Sequence, residues 1–273
     1  QELSYNDFFP DKQQIYLVQS EVNRSGHVSR RESLPVPFTD HLSQIPEIQS
    51  MAATGGGPRP RGDIQYQEQE FSGGNIMAVN SDFLSVLQFP MQQGSRTNVL
   101  NQPYSIVLTH ALAKRIFGEK YPVGKTLHTD DHDFRVSGVL APLPKTSTLQ
   151  FDGLVSNVTA QQLHSNFPFS SWRNYSRVFI KLPAGVQLAE IEDKLNVLMA
   201  SVKPNQQKGE YTFHLVNLTD IYFASARNTV FGQAGDIRTI YIFGAIAFLV
   251  LIIASINFMN LSVARRSEEH TSE

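Results

Sequence analysis

The sequence predicts an α+β domain followed by one transmembrane α-helix. Three observations carry this: β-rich alternating stretches interleaved with short amphipathic helical ones over residues 1–235, an apolar run without charge from 239 to 264, and two arginines directly after it. At 273 residues the chain is long enough for one or two domains with a sizeable core.

Residues 15–22 begin fully apolar and then alternate, which predicts a strand. In 37–46, Phe38, Leu42 and Ile45 share one face of a short helix bounded by prolines. Residues 55–63 carry turn formers at nearly every position, so the Arg61-Gly62-Asp63 triplet, which matches an adhesion tripeptide, is read as loop. A strand is predicted at 75–79, then a short helix capped by Ser81 and carrying Phe83, Leu84 and Leu87. Thr109 caps a helix through Phe117, with Leu112/Ile116 and Ala113/Phe117 at i,i+4 spacing, and Gly118 suits its left-handed exit. Residues 125–127 and 134–140 read as strands joined by the turn Asp130-Asp131-His132-Asp133. Residues 175–182 alternate as one strand. From 187 to 202 an apolar stripe of Leu188, Ile191, Leu195, Leu198, Met199 and Val202 marks a helix packed on a core. Residues 211–217 form a last strand, and the whole reads as two small subdomains sharing a sheet.

Lys and Arg number 23 against 25 Asp and Glu, a net charge of −2, and no basic run marks a nucleic-acid partner. The absence of cysteine excludes disulfides, thiolate metal sites and thiol nucleophiles. The stretch FGEKYPVGKTL (117–127) ends like a phosphate-binding loop, but five residues rather than four separate Gly118 from Gly124, and it leads from a helix into a strand. Nucleotide binding is therefore not expected. The cluster at 128–133 holds two histidines and three aspartates, but in a hairpin turn, where Asp is favoured by backbone geometry, so no metal site is assigned. No nucleophile elbow or other catalytic pattern is present, and no cofactor is expected.

Twenty-six helical residues from 239 to 264 reach about 40 Å, enough to cross a hydrocarbon core of about 30 Å with some tilt. Arg265 and Arg266 mark the cytoplasmic boundary, because Asp236 and Arg238 on the other flank cancel. Residues 1–235 then lie outside, which calls for an export signal or span upstream of Gln1. Asn257 and Asn260, with Ala264, form a face suited to packing on another transmembrane helix at about 1 kcal/mol per hydrogen bond. An interfacial position is an equal reading for Asn260.

The segments ELSYNDFFPDKQQIYLV (2–18), DFLSVLQFPMQQG (82–94), SIVLTHALAKRIFGEKYPVGKTL (105–127), FRVSGVLAPLPKTSTLQFDGLVS (134–156) and YIFGAIAFLVLIIASINFMNLSVARR (241–266) resemble FtsX-like, MacB-type permease subunits of ABC transporters. They match, in order, the periplasmic core domain and the helix after it. The resemblance implies that Gly118, Pro122, Gly124, Lys125, Thr126 and Gly138 are structural motif positions and that ATP is handled by a cytoplasmic ABC ATPase subunit. It further implies residence in the bacterial inner membrane with residues 1–235 periplasmic, a helix at 236–266, a homodimer or paired permease in the lipid bilayer, and a periplasmic partner. The implied activity is mechanotransmission, in which ATP-driven closure of the ATPase moves the helices and through them the outer domain. Residues 267–273 fit no part of the pattern and read as a truncated or foreign tail. The rival reading is a membrane-anchored extracytoplasmic sensor or ligand-binding domain.

Overall fold

A computed structural model describes residues 4–24, 26–55, 63–72, 74–129, 132–163, 165–203, 210–224, 235 and 237–271. The chain divides into two compact units, residues 1–234 and 235–273. The first unit opens with β1 (Ile15–Arg24), β2 (His27–Arg31), β3 (Leu34–Pro35), α1 (Val36–Thr39) and β4 (Ser50–Ala53). It continues with β5 (Ile64–Tyr66), β6 (Gln69–Phe71), β7 (Ile76–Val79), α2 (Phe83–Leu87), β8 (Met91–Gln93) and β9 (Ser105–Leu108). Then come α3 (His110–Phe117), β10 (Thr126–Thr129), β11 (His132–Leu140), β12 (Gly153–Ser156) and α4 (Asn157–Leu163). β13 (Tyr175–Ser176), β14 (Val178–Lys181), α5 (Leu188–Val202), β15 (Tyr211–Asn217) and α6 (Ile221–Ala224) complete it.

These elements build an α+β body on two main sheets. The smaller runs β15-β1-β14-β4 with β2 also on β1; the larger runs β6-β5-β10-β11-β9-β12-β7 with β8 also on β11. The apolar start of β1 follows from its position. Because successive strand residues face opposite ways, Ile15 and Leu17 enter a core shared with the larger sheet, while Val18 and Val22 enter a second core beneath α5. The shared core joins Phe179 of the smaller sheet to Met77, Val107 and Leu154 of the larger one, with Phe83 and Leu87 of α2 between them. In the second core, Ile191, Leu195, Leu198 and Met199 of α5 meet Phe38, Leu42, Ile45 and Phe213. A third core covers the other face of the larger sheet, where Ile106, Leu108, Phe134 and Val136 pack against Leu112 and Ile116 of α3.

The expected shared sheet is not formed. β4 and β7 touch only at the Thr54–Val79 bridge and then diverge; alternation marks a strand without choosing its neighbour. Where they part, the Asn80 side chain fills the gap: Oδ1 accepts from the Ala53 N–H at 2.8 Å and Nδ2 donates to the Met51 carbonyl at 2.9 Å. Asn80→Ala leaves both backbone groups unpaired and is expected to cost about 1–3 kcal/mol, measurable by urea unfolding. An unchanged midpoint would show that water replaces the amide at no cost.

Other local differences have identifiable causes. The Asn80 carbonyl accepts from the Phe83 N–H, so α2 starts after Asp82, and Ser81 does not cap it. The stretch 37–46 splits into α1 and a 3-10 turn at Leu42–Gln44, where the His41, Gln44 and Ile45 N–H groups each donate to the carbonyl three residues back. His132 and Asp133 belong to β11 rather than to a turn, while Asp130, Asp131, Arg61 and Gly62 lie outside the described residues. The predicted strand at 175–182 is interrupted at Arg177. The outer edge of β15 is covered by α5: Phe213 N–H donates to Asn196 Oδ1 at 3.2 Å and Leu215 N–H to Glu192 Oε1 at 2.8 Å. Those acceptors lie one helical turn apart, matching the two-residue step of the strand, and they block addition of another strand there.

The second unit contains α7 (Ile237–Thr271), whose Tyr241–Asn260 stretch has mean hydropathy 2.5 and is long and apolar enough to cross a membrane. The helix runs on beyond Arg266 through Ser267-Glu268-Glu269-His270, since nothing there breaks it.

Candidate functional site

Two stretches far apart in sequence meet at Asn6. This residue is fully buried with φ 58°, a left-handed conformation that Asn tolerates better than most. Its Nδ2 donates to the Leu218 carbonyl at 2.7 Å and to Thr148 Oγ1 at 2.8 Å, while Oδ1 accepts from the Thr148 N–H at 2.9 Å. Its own N–H donates to the Thr146 carbonyl at 2.8 Å. Beside it, Tyr5 stacks on Tyr222 of α6, ring centroids 3.6 Å apart and planes within 10°. Phe9, two residues past Asp7, meets Phe89 edge-on in the shared core. The segments around residues 5 and 222 therefore lie side by side at one place on the body.

A second tie lies close in sequence. Asp11 Oδ2 accepts from Lys181 Nζ at 2.6 Å and from Gln88 Nε2 at 2.6 Å, joining β14 to the exit of α2. The hydrogen bond from Lys181 holds the Asp11 carboxyl below its ordinary value of 3.8, against burial, which pushes it up. A depressed carboxyl stabilises the fold above the unfolded-state value and loses that contribution as pH falls through the folded-state value. Asp11→Asn should thus melt below wild type at pH 7, and the gap should close as acid is added below about pH 4. A gap constant from pH 7 to 2 would contradict the assignment.

At the break between β13 and β14, Arg177 forms a nearly buried ion pair with Glu32. Burial lowers the guanidinium pKa and Glu32 opposes that, but the group remains charged. The backbone of Arg177 exchanges hydrogen bonds with Thr54, whose carbonyl also accepts from Ser176 Oγ.

The stretch 117–127 is a helix-to-strand connector. Thr109 Oγ1 accepts from the Leu112 N–H at the start of α3, and Gly118, at φ 60°, ends it. The Pro122 carbonyl accepts from the Lys125 N–H at 3.0 Å. Gly124, at φ 86°, donates its N–H to the Val136 carbonyl at 2.7 Å, and Thr126 opens β10 opposite Arg135. Gly124-Lys125-Thr126 thus runs into a strand, with the Gly124 N–H committed to the sheet. Gly138 sits at a register shift between β11 and β9, where a Cβ would come within 2.8 Å of Met91 Cε and 3.1 Å of the Gln93 carbonyl. His128 Nδ1 meets Asp133 Oδ1 at 2.9 Å, and His132 stacks on Tyr104. No group of three or more potential metal ligands occurs among the described residues. Asn257 and Asn260 are exposed on α7; Arg265 and Arg266 fall within that helix, with their side chains outside the described residues.

The family model for the MacB-like periplasmic core domain matches residues 2–198. The chain belongs to that family. This MacB-like chain is 24% identical over 258 residues to the macrolide export ATP-binding/permease protein MacB of Aggregatibacter actinomycetemcomitans, covering 90% of this chain and 36% of that protein. It is 24% identical over 235 residues to the pyoverdine export ATP-binding/permease protein PvdT of Pseudomonas aeruginosa, covering 84% and 33%. It thus spans about a third of the length of these relatives. In fold it matches a domain assigned to a permease protein of Porphyromonas gingivalis, with TM-score 0.63 at 16% identity over 84% of this chain and 94% of that one. The periplasmic region of MacB from Actinobacillus actinomycetemcomitans aligns with TM-score 0.52 at 20% identity, over 78% and 94%.

Within the MacB-like domain the motif glycines fall at a helix exit, a turn and a strand contact. The residues that join distant segments, Asn6, Asn80 and Arg177, escape sequence reasoning. Asn6 follows an aromatic in a turn-rich stretch and Asn80 follows a strand, positions at which Asn ordinarily reads as a local turn former.

Proposed function

We infer that this chain is part of a permease subunit of an FtsX/MacB-type ABC exporter. The first unit is periplasmic, α7 crosses the inner membrane with Arg265 and Arg266 on the cytoplasmic side, and a cytoplasmic partner ATPase hydrolyses ATP. The body contributes no chemistry; it is moved, and its movement drives export or acts on a periplasmic partner. The observation that carries this reading is the side-by-side placement of the segments around Tyr5 and Tyr222 on a body whose two sheets share one apolar core. A body joined through a large apolar interface moves as a unit. A homodimer or paired permease completes the membrane part, with Asn257 and Asn260 facing neighbouring helices.

These 273 residues hold no cysteine, so a single cysteine placed among them reports their topology once any cysteine elsewhere in the gene product has been replaced. In whole cells carrying the full-length gene product, Tyr121→Cys, at 62% exposure, should react with a membrane-impermeant maleimide once the outer membrane is permeabilised. Arg266→Cys should react only after lysis. ATP with vanadate should then change labelling at the ends of α7 when the ATPase is present. Reversed sidedness would overturn the periplasmic placement, and indifference to nucleotide would overturn the permease reading in favour of a sensor.

A further inference from the structure

The joint at Asn6 reaches both sheets. The Leu218 N–H donates to the Ile15 carbonyl at the start of β1, while Thr146 and Thr148 belong to the connection between β11 and β12 of the larger sheet. A displacement applied near residue 5 or 222 is therefore delivered to both sheets at once. Opening the joint would expose two tyrosine rings that are 9% and 5% accessible and would strip every polar atom of the Asn6 amide of its partner. The donors and acceptors facing Asn6 come from two segments more than 60 residues apart, so neither segment alone keeps it satisfied.

We propose that Tyr5, Asn6, Leu218 and Tyr222 form a clasp that stays shut throughout the ATP cycle, so that motion of the flanking segments tilts the whole body and does not prise its ends apart. This rests on the permease reading above, and it assigns Tyr5 and Asn6 as positioning residues for force transfer. The alternative device, a body that opens between its ends, would need the same residues to separate once per cycle.

The test is hydrogen exchange on the full-length permease with its ATPase in nanodiscs, in ADP, in ATP and trapped with vanadate. Peptides covering 144–149 and 215–222 should keep their protection within twofold in all three states, while peptides at the ends of α7 change by threefold or more. The same experiment on Tyr5→Cys/Tyr222→Cys joined by a short bis-thiol reagent should leave the α7 response intact. A tenfold loss of clasp protection in any state, or an α7 response frozen by the link, would show that the ends part and overturn the clasp while the permease reading stands. An α7 that ignores nucleotide in the unsubstituted protein would overturn both. If the double variant does not fold, exchange in the unsubstituted protein decides alone.

Discussion

Asn6→Ala is expected to lower the stability of the first unit by about 3–7 kcal/mol, the sum of two orphaned buried groups at about 1–3 kcal/mol each and about 1 kcal/mol for an alanine Cβ in the left-handed region. The orphaned groups are the Leu218 carbonyl and the Thr148 N–H, both of which face the Asn6 amide across tertiary contacts. For a body of this size that corresponds to a fall in Tm of about 10–20 °C. Asn6→Gly separates the two contributions: it keeps the lost hydrogen bonds but tolerates φ 58°, so it should melt a few degrees above the alanine variant. Equal melting of both variants and wild type would show that the amide is replaceable by solvent.

The second large effect is at Arg177. Arg177→Met leaves the Glu32 carboxylate 12% exposed with no counter-charge, and such a break costs about 3–5 kcal/mol. The companion double variant Glu32→Leu/Arg177→Met removes the uncompensated charge and should recover most of the loss, because replacing both partners of a buried pair with apolar groups is often neutral. Denaturant titrations of wild type, Arg177→Met, Glu32→Leu and the double variant form the cycle; additive losses would mean that the two side chains are not coupled.

The sequence makes some elements plain because their signals are local. Thr109 and Gly118 bracket α3, the stripe through Ile191 and Met199 marks α5, and alternation marks β15 over Tyr211–Asn217. The apolar helix needs only composition and length. What the sequence conceals depends on partners distant in the chain. The strand expected at 75–79 carries no mark of its neighbour, Ser50–Ala53 carries no strand signal of its own, and where the two part Asn80 fills the gap with a side chain that imitates backbone. Arg177 looks like an outward residue of an alternating strand, yet it is buried against Glu32, 145 positions away. The family motif is readable because Gly118 and Gly124 solve local backbone geometry, whereas Gly138 is set by the close approach of Met91 and Gln93 from another strand.

The pairing of β1 has a consequence in time. Two of its partners, β14 and β15, arrive only with residues 178–181 and 211–217, after nearly the whole unit has been made. At a synthesis rate of about 5–20 residues per second, the apolar strand Ile15–Arg24 waits roughly 10–40 seconds for its last neighbour. Such late, long-range closure slows folding. During that interval the nascent chain presents the apolar start of β1 with only the β2 hairpin beside the strand, so yield in the cell should depend on what shields β1 before β15 arrives.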